Sequence, residues 1–438
     1  MYDLNSFVNW FRDSSPYIHA HRNRTFVIYF GGEAILDASL NNLVHDFALL
    51  NSLGIRLVLV HGIRPQIDLG LEKQNLSSSF HEQLRITDTA ALQCVKESAG
   101  LARVEIESLL SLGVANSPMA GAKVRVISGN FITAQPHGII NGVDLQFTGK
   151  VRRIDSDAIH QQLDLGHVLL ISPVGYSPSG DLFNLSAEQL ATEIAIALQA
   201  EKLILMTEQS CQSSESGQLI AQITTAETQE LIEHDTQLAL STKYALQSAI
   251  QGCQAGVNRV HILNRKIDGA LLIELFSRDG VGTLVSSTEF ESIRTAQLSD
   301  IPGILELITP LEHQGLLIGR SKEHLENNIK DYIVIERDGL IIGCTALHTI
   351  TESHTGLIAC LAIHPDYRKA ERGNQLLEQL LVKAGQESLQ QLFALSTQTM
   401  HWFKERDFQE SHFTELPATL QKNYNHLRNP KVLKKNLP

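Results

Sequence analysis

A strand that runs into a basic turn and then a helix is the part of this sequence most suited to chemistry. The strand ends with Ala359–Ile363, the turn carries Arg368, Lys369 and Arg372, and an amphipathic helix follows at Asn374–Gly385. The first amides of a helix lack intrahelical acceptors and lie at its positive end. Basic side chains there favour a bound phosphate or pyrophosphate. The local pattern fits a turn of solvated basic residues equally well.

The elements around this turn predict an α+β domain. After a linker at residues 285–293, the pattern is a helix, two strands that form a hairpin, a third strand, a helix and a further strand. They lie at Ile301–Leu311, Tyr332–Glu336, Ile341–Leu347, Gly356–Ile363, Asn374–Gly385 and Gln391–Ser396. We therefore predict a C-terminal domain over residues 294–438 that carries the basic turn.

Residues 1–284 follow a different pattern, in which buried strands alternate with helices. The strands are Thr25–Phe30, Ile55–Val60, Val168–Ile171 and Lys202–Met206, and the helices are Leu40–Leu53 and Ala187–Ala200. Strands and helices at this spacing imply parallel strands joined by crossover helices. The runs Val124–Ser128 and Gly129–Ala134 suggest antiparallel hairpins instead. We predict an α/β domain with a mostly parallel sheet, unrelated to the C-terminal domain.

The charge and composition of the chain exclude several classes of function. The sequence has 438 residues, 43% of them hydrophobic, with 36 basic and 48 acidic side chains for a net charge of −12. This balance argues against a general nucleic-acid or anionic-membrane binder but leaves room for a local basic pocket. No signal peptide is visible, and no apolar run approaches the ~20 residues of a membrane helix. The five cysteines lack metal or disulfide spacing, so we expect a cytoplasmic protein without a metal site.

The basic turn resembles the acetyl-CoA motif of the GCN5-related N-acetyltransferase superfamily, Arg/Gln-x-x-Gly-x-Gly/Ala. Arg368 and Gly373 match its ends, and Glu371 replaces its first glycine. The resemblance implies that amides of the turn hold the CoA pyrophosphate, that the preceding strand holds the pantetheine arm, and that the Leu361 amide binds the thioester oxygen. The implied cofactor-binding residues are Cys360, Leu361, Ala362, Ile363, Arg368, Lys369, Ala370, Glu371, Arg372, Gly373 and Asn374.

The resemblance also implies direct attack of a neutral amine on the thioester, which needs a base and a proton donor for the thiolate. Members often use a Tyr donor where this sequence has Phe403, so we assign that role to Ser396, with a strand-end Ser bonded to backbone as the alternative. Relatives commonly carry a Glu three residues before Cys360, where Leu357 stands here. A water near Cys360 and the side chain of His354 stay open as the base. We place Cys360 in the catalytic site through packing and backbone contacts rather than as a nucleophile.

Residues 1–284 resemble the amino-acid kinase family, in particular acetylglutamate kinase. The lysine that the family carries on its first strand is Tyr29 here, and two glycines of its second loop are Ile63 and Arg64. Phosphoryl transfer depends on charge neutralisation and on close approach of small residues to the nucleotide. We therefore predict that this domain is regulatory and is not a kinase.

A kinase-like domain fused to an acetyltransferase resembles the bacterial N-acetylglutamate synthase family over essentially the entire chain. The matching segments are Pro16–Ile18, Phe30–Ile35, Arg64–Asp68, Val126–Phe131, Glu274–Thr283, His364–Arg368 and His401–Arg406. The resemblance implies that acetyl-CoA and L-glutamate give CoA and N-acetyl-L-glutamate, the opening step of arginine biosynthesis. It points to Arg320 and Arg428 for the two substrate carboxylates, because arginine can bind a carboxylate bidentately. Arginines exposed on a solvated face are the alternative.

The same resemblance implies feedback inhibition through a site for L-arginine in the kinase-like domain. The residues that it points to are Tyr17, His261, Glu274, Gly280 and Gly282. Glu274 would pair with the guanidinium of the ligand and the glycines would close over it. A structural ion pair is the alternative role for this carboxylate.

An apolar stripe at the N-terminus bears on assembly. Leu4, Phe7, Val8 and Phe11 recur at helical spacing, which indicates one apolar helix face. That face could pack within the chain or bury against a neighbouring subunit, and the resemblance implies a homohexamer.

Two other functions stay open beside glutamate acetylation. One is an acetyltransferase for a different amine, and the other is a non-catalytic arginine sensor, which the altered motif at Glu371 and the absent Tyr and Glu would favour. An acetylglutamate kinase is disfavoured by Tyr29, Ile63 and Arg64.

Overall fold

The computed structural model describes residues 4–112, 119–213, 217–235, 238–277, 279–287, 291–337, 339–368, 371–422 and 424–437. The chain divides into two compact units, Met1–Glu289 and Phe290–Pro438. The regulatory and catalytic roles that we assigned to residues 1–284 and 294–438 stay predictions at this stage.

The first unit alternates strands and helices. Its helices are α1 (Leu4–His21), α2 (Gly32–Ile35), α3 (Leu40–Ser52), α4 (Arg64–Lys73), α5 (Thr89–Leu110), α6 (Ser156–Asp164), α7 (Ala187–Ala197), α8 (Thr225–His234), α9 (Leu240–Gln254) and α10 (Ala270–Phe276). Its strands are β1 (Thr25–Phe30), β2 (Arg56–His61), β3 (Phe80–His81), β4 (Leu84–Arg85), β5 (Val126–Ile127), β6 (Ile132–Pro136), β7 (Ile139–Ile140), β8 (Val143–Asp144), β9 (Gly149–Ile154), β10 (Val168–Ile171), β11 (Val174–Tyr176), β12 (Leu182–Asn184), β13 (Lys202–Thr207), β14 (Gln222–Thr224), β15 (Arg259–Asn264) and β16 (Thr283–Ser286).

A large sheet lies at the centre of this unit. Among the described residues, eight strands pair in the order β14-β16-β15-β13-β1-β2-β10-β5, and every pair is parallel except β15 with β16. Alternate residues of β1 enter two cores, with Val27 and Tyr29 on one face and Phe26 and Ile28 on the other. A parallel sheet covered on both faces by helices has this burial. The predicted α/β fold with a mostly parallel sheet is confirmed.

The strands near residue 130 differ from our expectation. β5 pairs parallel with β10 and completes the edge of the large sheet, whereas β6 lies in a second sheet of order β12-β11-β6-β9. In that sheet β6 runs antiparallel to β9, with Ile132 opposite Ile154. The prediction of a hairpin between Val124–Ser128 and Gly129–Ala134 is therefore wrong. Two short apolar runs separated by a glycine do not show which sheet each run will join.

The second unit is an α+β domain. Its helices are α11 (Ile301–His313), α12 (Lys322–Asn328), α13 (Arg372–Gln386), α14 (Met400–Lys404) and α15 (Ala418–Lys422). Its strands are β17 (Glu291–Thr295), β18 (Tyr332–Arg337), β19 (Leu340–Ile350), β20 (Thr355–Ile363), β21 (Gln391–Ser396), β22 (Gln409–Ser411) and β23 (Lys431–Asn436).

One sheet of order β17-β18-β19-β20-β21-β23-β22 runs through the second unit. Its neighbours are antiparallel except β20 and β21, which are parallel. Helix α13 packs on one face, where Leu376 and Leu380 join Ile342 and Ile358 in a core. Helix α11 packs on the other face, where Ile304 meets its own set of buried side chains. The predicted order of strands and helices in this part of the chain is confirmed.

Two kinds of feature are absent from the part of the chain that the structure describes. No described helix is both long and apolar enough to cross a membrane. No described group of three or more His, Cys, Asp or Glu side chains is arranged to hold a metal ion.

Candidate active site

A gap between two parallel strands lies in the second unit. β20 and β21 pair from Thr355 with Gln391 to Ile358 with Ala394, and the pairing ends there although both strands continue. Beyond Ile358 the backbone groups of β20 therefore face the gap without a partner strand in β21. An extended polar chain can add to such an edge as an extra strand.

A β-bulge in β20 lies beside this gap. The register shifts so that Cys360 and Leu361 together oppose Thr345 of β19. Cys360 has a φ of +55°, in the left-handed region. The extra residue of a bulge leaves backbone groups outside the ladder, and preorganised amides can stabilise charge that develops on a carbonyl oxygen. The Leu361 amide that the sequence analysis singled out is therefore part of the bulge.

Helix α13 begins at Arg372, two residues earlier than predicted, and the residue before it is strained. Arg368 is exposed, and Glu371 is the N-cap of α13 with a φ of +56°. Glycine adopts a left-handed conformation at lower cost than other residues. This explains why the motif has a glycine at the position of Glu371. Lys369 and Ala370 lie outside the described residues.

The Arg372 side chain is engaged within the protein. Its Nε and Nη2 donate to the two carboxylate oxygens of Glu291 at 2.9 and 2.6 Å, and its Nη1 donates to the Tyr367 carbonyl at 3.2 Å. Arg337 Nη1 lies 3.0 Å from the same carboxylate. Burial alone would raise the pKa of Glu291, but the bonds and charges of the two arginines hold it below its usual range. We therefore retain for Arg372 a contribution through its backbone rather than through its guanidinium.

Asn374 and Gly373 fix the first turn of α13. The Asn374 amide donates to the Glu371 carbonyl at 2.7 Å, and the Asn374 side-chain oxygen accepts from Arg406 Nε at 2.6 Å. A Cβ on Gly373 would lie 3.2 Å from the indole of Trp402, so this position needs a residue without a bulky side chain. The turn is thus tied to the helix that follows β21.

Two predicted arginines meet at the loop between α11 and α12. Arg428 Nη2 donates to the Gly315 carbonyl at 2.8 Å and also to the Leu316 carbonyl. Arg320 belongs to the same loop, and its amide donates to Glu312 Oε1 at 2.9 Å. Residues more than 100 positions apart in sequence therefore place two guanidinium groups at one loop. The pair suits a ligand with two carboxylates.

The charge of Arg320 reaches the sheet face that carries the bulge. Burial raises the pKa of the Tyr332 hydroxyl well above its usual value, and Arg320 opposes this shift. Contact with Cys344 lowers the pKa of the Cys360 thiol against the effect of burial, and Arg320 adds to the lowering. Cys360 is only 4% exposed, and its carbonyl accepts from Cys344 Sγ at 3.4 Å. These contacts are those of a packed thiol.

Ser396 lies at the end of β21, past the last pair that β21 forms with β20. Its hydroxyl is 2.7 Å from Thr399 Oγ1 and accepts from the Thr399 amide at 2.9 Å. Phe403 is buried between Trp402 and Phe408, with ring centroids 5.0 and 5.2 Å away. Ser396 thus has the alternative structural role that we considered, and its hydroxyl also lies at the strand end that borders the gap.

A hydrogen-bonded pair that the sequence analysis missed lies on the same sheet. His348 Nδ1 is 2.9 Å from Asp331 Oδ2, and the His348 ring centroid is 6.3 Å from the rings of both His324 and Tyr332. Asp331 ends a short 3-10 turn before β18, and His348 lies on the neighbouring strand β19. No motif connects them, so only the pairing of these two strands reveals the contact.

His354 is far from the bulge. It lies in the exposed turn before β20, with a φ of +46°. Strand residues advance ~3.3 Å each, so six residues separate His354 from Cys360 by roughly 20 Å. This distance exceeds the reach of a base that acts directly or through one water, and the geometry removes His354 as the proton acceptor.

Glu274 is the centre of a buried network in the first unit. Its Oε1 accepts from His261 Nδ1 at 2.7 Å, and its Oε2 accepts from the amides of Val281 and Gly282, each at 2.8 Å. The other ring nitrogen of His261 lies 3.2 Å from Lys202 Nζ. Burial and the Lys202 charge lower the pKa of His261 to about 4, so the neutral ring donates to Glu274 and accepts from Lys202.

Two further residues of the predicted effector site adjoin this network. Gly280 has a φ of +57°, and a Cβ there would overlap the Glu274 carboxylate. The Tyr17 ring is 6.3 Å from the His21 ring, whose Nε2 lies 2.9 Å from the Leu275 carbonyl in α10. The structure therefore brings Gly280 into direct contact with Glu274 and places Tyr17 in α1 beside the same helix.

The loops that suggested a kinase surround a cavity of about 470 Å³ in the first unit. Tyr29 extends its hydroxyl to Glu188 Oε1 at 2.9 Å, and Ile63 is buried at the start of α4. A Cβ on Gly62 would lie 2.8 Å from the amide of Gly32, so these two loops are in close contact. Tyr29 occupies the position of a phosphate-neutralising lysine with a neutral group.

Comparison with known proteins agrees with these two units. The model of the amino acid kinase family matches residues 24–264, and that of the acetyltransferase (GNAT) domain matches residues 328–410. An amino-acid acetyltransferase of Ectopseudomonas mendocina is 47% identical over 435 residues, covering 99% of this chain and 100% of the relative. That of Azotobacter vinelandii is 48% identical over 435 residues, with the same coverage.

A solved structure extends the likeness to three dimensions. N-acetylglutamate synthase from Neisseria gonorrhoeae, in complex with coenzyme A and L-arginine, superposes with a TM-score of 0.90 and is 40% identical, covering 98% of this chain and 99% of that chain. The same enzyme with coenzyme A and N-acetyl-glutamate superposes with a TM-score of 0.63 and covers 99% of each chain. With full-length relatives at this identity, the chain belongs to the amino-acid acetyltransferase family, in which a kinase-like domain precedes a GNAT domain.

Proposed function

We propose that this protein transfers the acetyl group of acetyl-CoA to the α-amine of L-glutamate, giving CoA and N-acetyl-L-glutamate. The observation that carries the proposal is the gap between β20 and β21 with the bulge at Cys360 and Leu361 beside it. An unpaired strand edge can hold the amide groups of a pantetheine arm. The turn at Glu371 and the amides that begin α13 lie at the end of the same strand, where a pyrophosphate would be held.

The substrate preference follows from the loop between α11 and α12. Arg320 and Arg428 are both exposed enough to exchange their carbonyl partners for a ligand, and each can bind one carboxylate bidentately. Glutamate has two carboxylates and one amine, so two fixed guanidinium groups would also set the direction of the amine. The carboxylate of Glu312 holds the Arg320 amide and so contributes to the shape of this loop.

The chemistry needs atoms to move in a fixed order. The substrate ammonium loses one proton, and the neutral nitrogen attacks the thioester carbon while the Leu361 amide supports the developing negative charge on oxygen. The carbon–sulfur bond then breaks and the nitrogen gives up its second proton. The thiolate takes a proton from the Ser396 hydroxyl at the end of β21, our assigned donor, and the second nitrogen proton restores that hydroxyl. The net products are the amide, the thiol and one proton released to solvent.

We propose that L-arginine binds around Glu274 and inhibits this reaction. The carboxylate of Glu274 is buried, and burial alone would raise its pKa. Hydrogen bonds from His261 and from the amides of Val281 and Gly282 keep that pKa below its usual range. A cationic guanidinium would share these oxygens with the His261 ring, and the left-handed Gly280 lets its loop approach the carboxylate more closely than a residue with a Cβ could. This effector role, like the glutamate specificity, rests on chemistry that a binding experiment can test.

Assembly into a homo-oligomer, a homohexamer by resemblance, is part of the proposal. Helix α1 presents Val8, Trp10 and Phe11, which are 41, 44 and 57% exposed in the single chain. A cluster of large apolar side chains at the surface favours burial against another molecule. Leu4 and Phe7, which we expected on the same face, belong to α1, and the structure does not describe their side chains. A cytoplasmic location stays a prediction.

A thiol-release assay tests the function. Purified protein is given acetyl-CoA with each of the common amino acids, and free thiol is measured with and without L-arginine. We expect release with glutamate, a fall of at least tenfold in kcat/KM for Arg320→Ala, and no change for Lys322→Ala, a 71% exposed side chain two positions away. Release with another amine and none with glutamate would replace the substrate assignment. Binding of acetyl-CoA without release for any amine would instead support the sensor.

A further inference from the structure

His348 lies on the sheet face that an amine would use to reach the bulge. Its strand β19 contributes Cys344 and Ala346 to the core on the α11 side of the sheet, the core that also contains Cys360. His348 continues this alternation along β19, and it is paired across the strands with Leu357 of β20. Cross-strand partners have Cβ atoms ~5 Å apart on one face. His348 is therefore two residue positions, or roughly 7 Å, from the pair at the edge of the bulge.

The ring of His348 is oriented by Asp331. A carboxylate oxygen can only accept, so the 2.9 Å contact with Asp331 Oδ2 requires Nδ1 to carry the hydrogen. In the neutral ring the lone pair then belongs to Nε2, and no described residue hydrogen-bonds to that nitrogen. His348 and Asp331 side chains are 26 and 37% exposed. The pair thus presents an accessible, oriented proton acceptor, as in other histidine–carboxylate pairs.

The titratable groups around His348 do not compete with its ring for the substrate proton. Besides Asp331, the described groups that face it are Tyr332 on β18, His324 on α12 and Arg320 on the loop before α12. Burial, followed by the charges of Arg320 and His348, lowers the pKa of His324, so His324 is neutral near pH 7. Tyr332 keeps its proton because burial raises its pKa.

Other groups near the bulge are poorer acceptors. Cys344 and Cys360 are at most 4% exposed, and Leu357 carries no titratable group. His354 is about 20 Å from the bulge along the strand. Ser396 belongs to the opposite side of the gap and is engaged with Thr399. Glu312 on α11 is a carboxylate whose charge reaches the Cys360 thiol, but its Oε1 accepts from the Arg320 amide. On the described part of the sheet face, the His348–Asp331 pair combines an oriented lone pair with access from solvent.

We propose that His348 is the base of the acetyl transfer and that Asp331 is its positioning residue, an inference that rests on the proposed function. Nε2 of His348 takes one proton from the substrate ammonium, directly or through one water, and becomes an imidazolium that Asp331 stabilises. The freed nitrogen lone pair forms the new carbon–nitrogen bond. The carbon–sulfur bond then breaks, the nitrogen releases its second proton, which balances the proton that the thiolate takes up, and the imidazolium returns its own proton to solvent.

The test compares His348→Gln with His354→Gln, a matched control that removes a histidine from the exposed turn before β20. For His348→Gln we expect kcat with acetyl-CoA and glutamate to fall by ~10²–10³-fold, with the acidic limb of the kcat–pH profile lost. We expect His354→Gln to stay within twofold of the unchanged protein. Thermal unfolding and binding of CoA, measured on both variants, report folding separately from catalysis.

Two further variants keep the inference open to contradiction. Asp331→Asn should reduce kcat by about tenfold and move the acidic limb to lower pH, because an imidazolium without its carboxylate is a stronger acid. Added imidazole should restore part of the activity of His348→Ala. If His348→Gln folds, binds CoA and acetylates glutamate within threefold of the unchanged protein, the inference fails and the proposed function stands. If the unchanged protein releases no thiol with glutamate, the proposed function itself fails.

Discussion

The carboxylate of Glu291, in the first strand of the second unit, receives two parallel hydrogen bonds from Arg372, the first residue of α13, at 2.6 and 2.9 Å. The contact joins residues 81 positions apart. Bidentate arginine–carboxylate pairs are directional as well as strong. This pair therefore fixes the start of α13, and with it the turn at which a pyrophosphate would bind.

Glu291→Gln should destabilise the second unit. The change leaves Arg372 and Arg337, whose side chains are 13 and 12% exposed, without their shared counter-charge. We expect the free energy of unfolding at pH 7 to fall by about 1–3 kcal/mol and the KM for acetyl-CoA to rise. Urea unfolding and steady-state kinetics measure the two effects. Glu378→Gln, an exposed change on α13, is the control, and an equal effect from both would remove the special role of Glu291.

The same contact gives a pH dependence of defined sign. The pKa of Glu291 is lower in the folded protein than in the unfolded chain. Its stabilising contribution is therefore complete above the unfolded pKa of about 4.3 and is lost as the pH falls through the folded pKa. Glu291→Gln should flatten this part of the stability curve, so the difference between the two proteins should shrink in acid.

Replacement of Glu371 by glycine should stabilise the turn. The φ of +56° places this side chain in a region that costs an L-residue about 1–2 kcal/mol, and glycine removes this cost at some loss of entropy. Glu371→Gly should thus raise the free energy of unfolding by about 1 kcal/mol, and it also removes a negative charge from the proposed pyrophosphate site, which should lower the KM for acetyl-CoA.

A glycine elsewhere in α13 provides a control of opposite sign. Glu378 lies in the helix interior, where glycine is less favourable than other residues by about 1 kcal/mol. Glu378→Gly should therefore destabilise the protein and leave the KM for acetyl-CoA unchanged. If Glu371→Gly destabilises by a similar amount, the side chain of Glu371 makes a contact that outweighs its backbone strain.

The elements of the fold were predictable to the extent that they depend on local periodicity. The fully buried β1 and the amphipathic α13 have bounds within two residues of those expected from the sequence. The position of β5 was not predictable, because two apolar residues can complete either of two sheets. The run at Val126–Ile127 joins the large sheet because β10 has an unpaired edge there, and that edge exists only in the folded protein.

The site was predictable where a motif encodes it and hidden where tertiary pairing creates it. The altered glycine pattern around Glu371 identified the turn, but it did not show that Glu291 already holds the Arg372 guanidinium. The His348–Asp331 pair has no pattern in the sequence, since it depends on the register of β18 against β19. Long-range side-chain contacts of this kind appear only in the folded protein.

Acidification should destabilise the first unit through His61. This ring is fully buried, with Nε2 2.9 Å from Ser172 Oγ, and burial lowers its pKa to about 4. The unfolded chain therefore binds the proton first, so stability is complete above pH ~6.5 and is lost as the pH falls towards 4, by up to roughly 3 kcal/mol. Urea unfolding at several pH values measures this slope.

His61→Gln should flatten that slope, while the exposed His19→Gln should not change it. Part of the slope should remain in His61→Gln, because burial also lowers the pKa of His21 and His261 to about 4. An unchanged slope in His61→Gln would contradict the assignment of the effect to this ring.

Cys360→Ala should leave the acetyl transfer largely intact. The thiol is 4% exposed and packs against Cys344, and the groups that serve the proposed reaction are backbone atoms of the bulge, which alanine retains. Alanine also keeps the same left-handed strain, so the bulge should persist. We expect kcat/KM within about threefold of the unchanged protein, and no acetyl group on the protein by intact-mass spectrometry after mixing with acetyl-CoA alone.

A loss of 100-fold or more in a folded, CoA-binding Cys360→Ala protein would mean that the thiol itself takes part, and a thioester on Cys360 in the unchanged protein would establish a covalent route. The bulge and the base at His348 predict neither result, since an amine freed of its proton can attack the bound thioester in a single displacement.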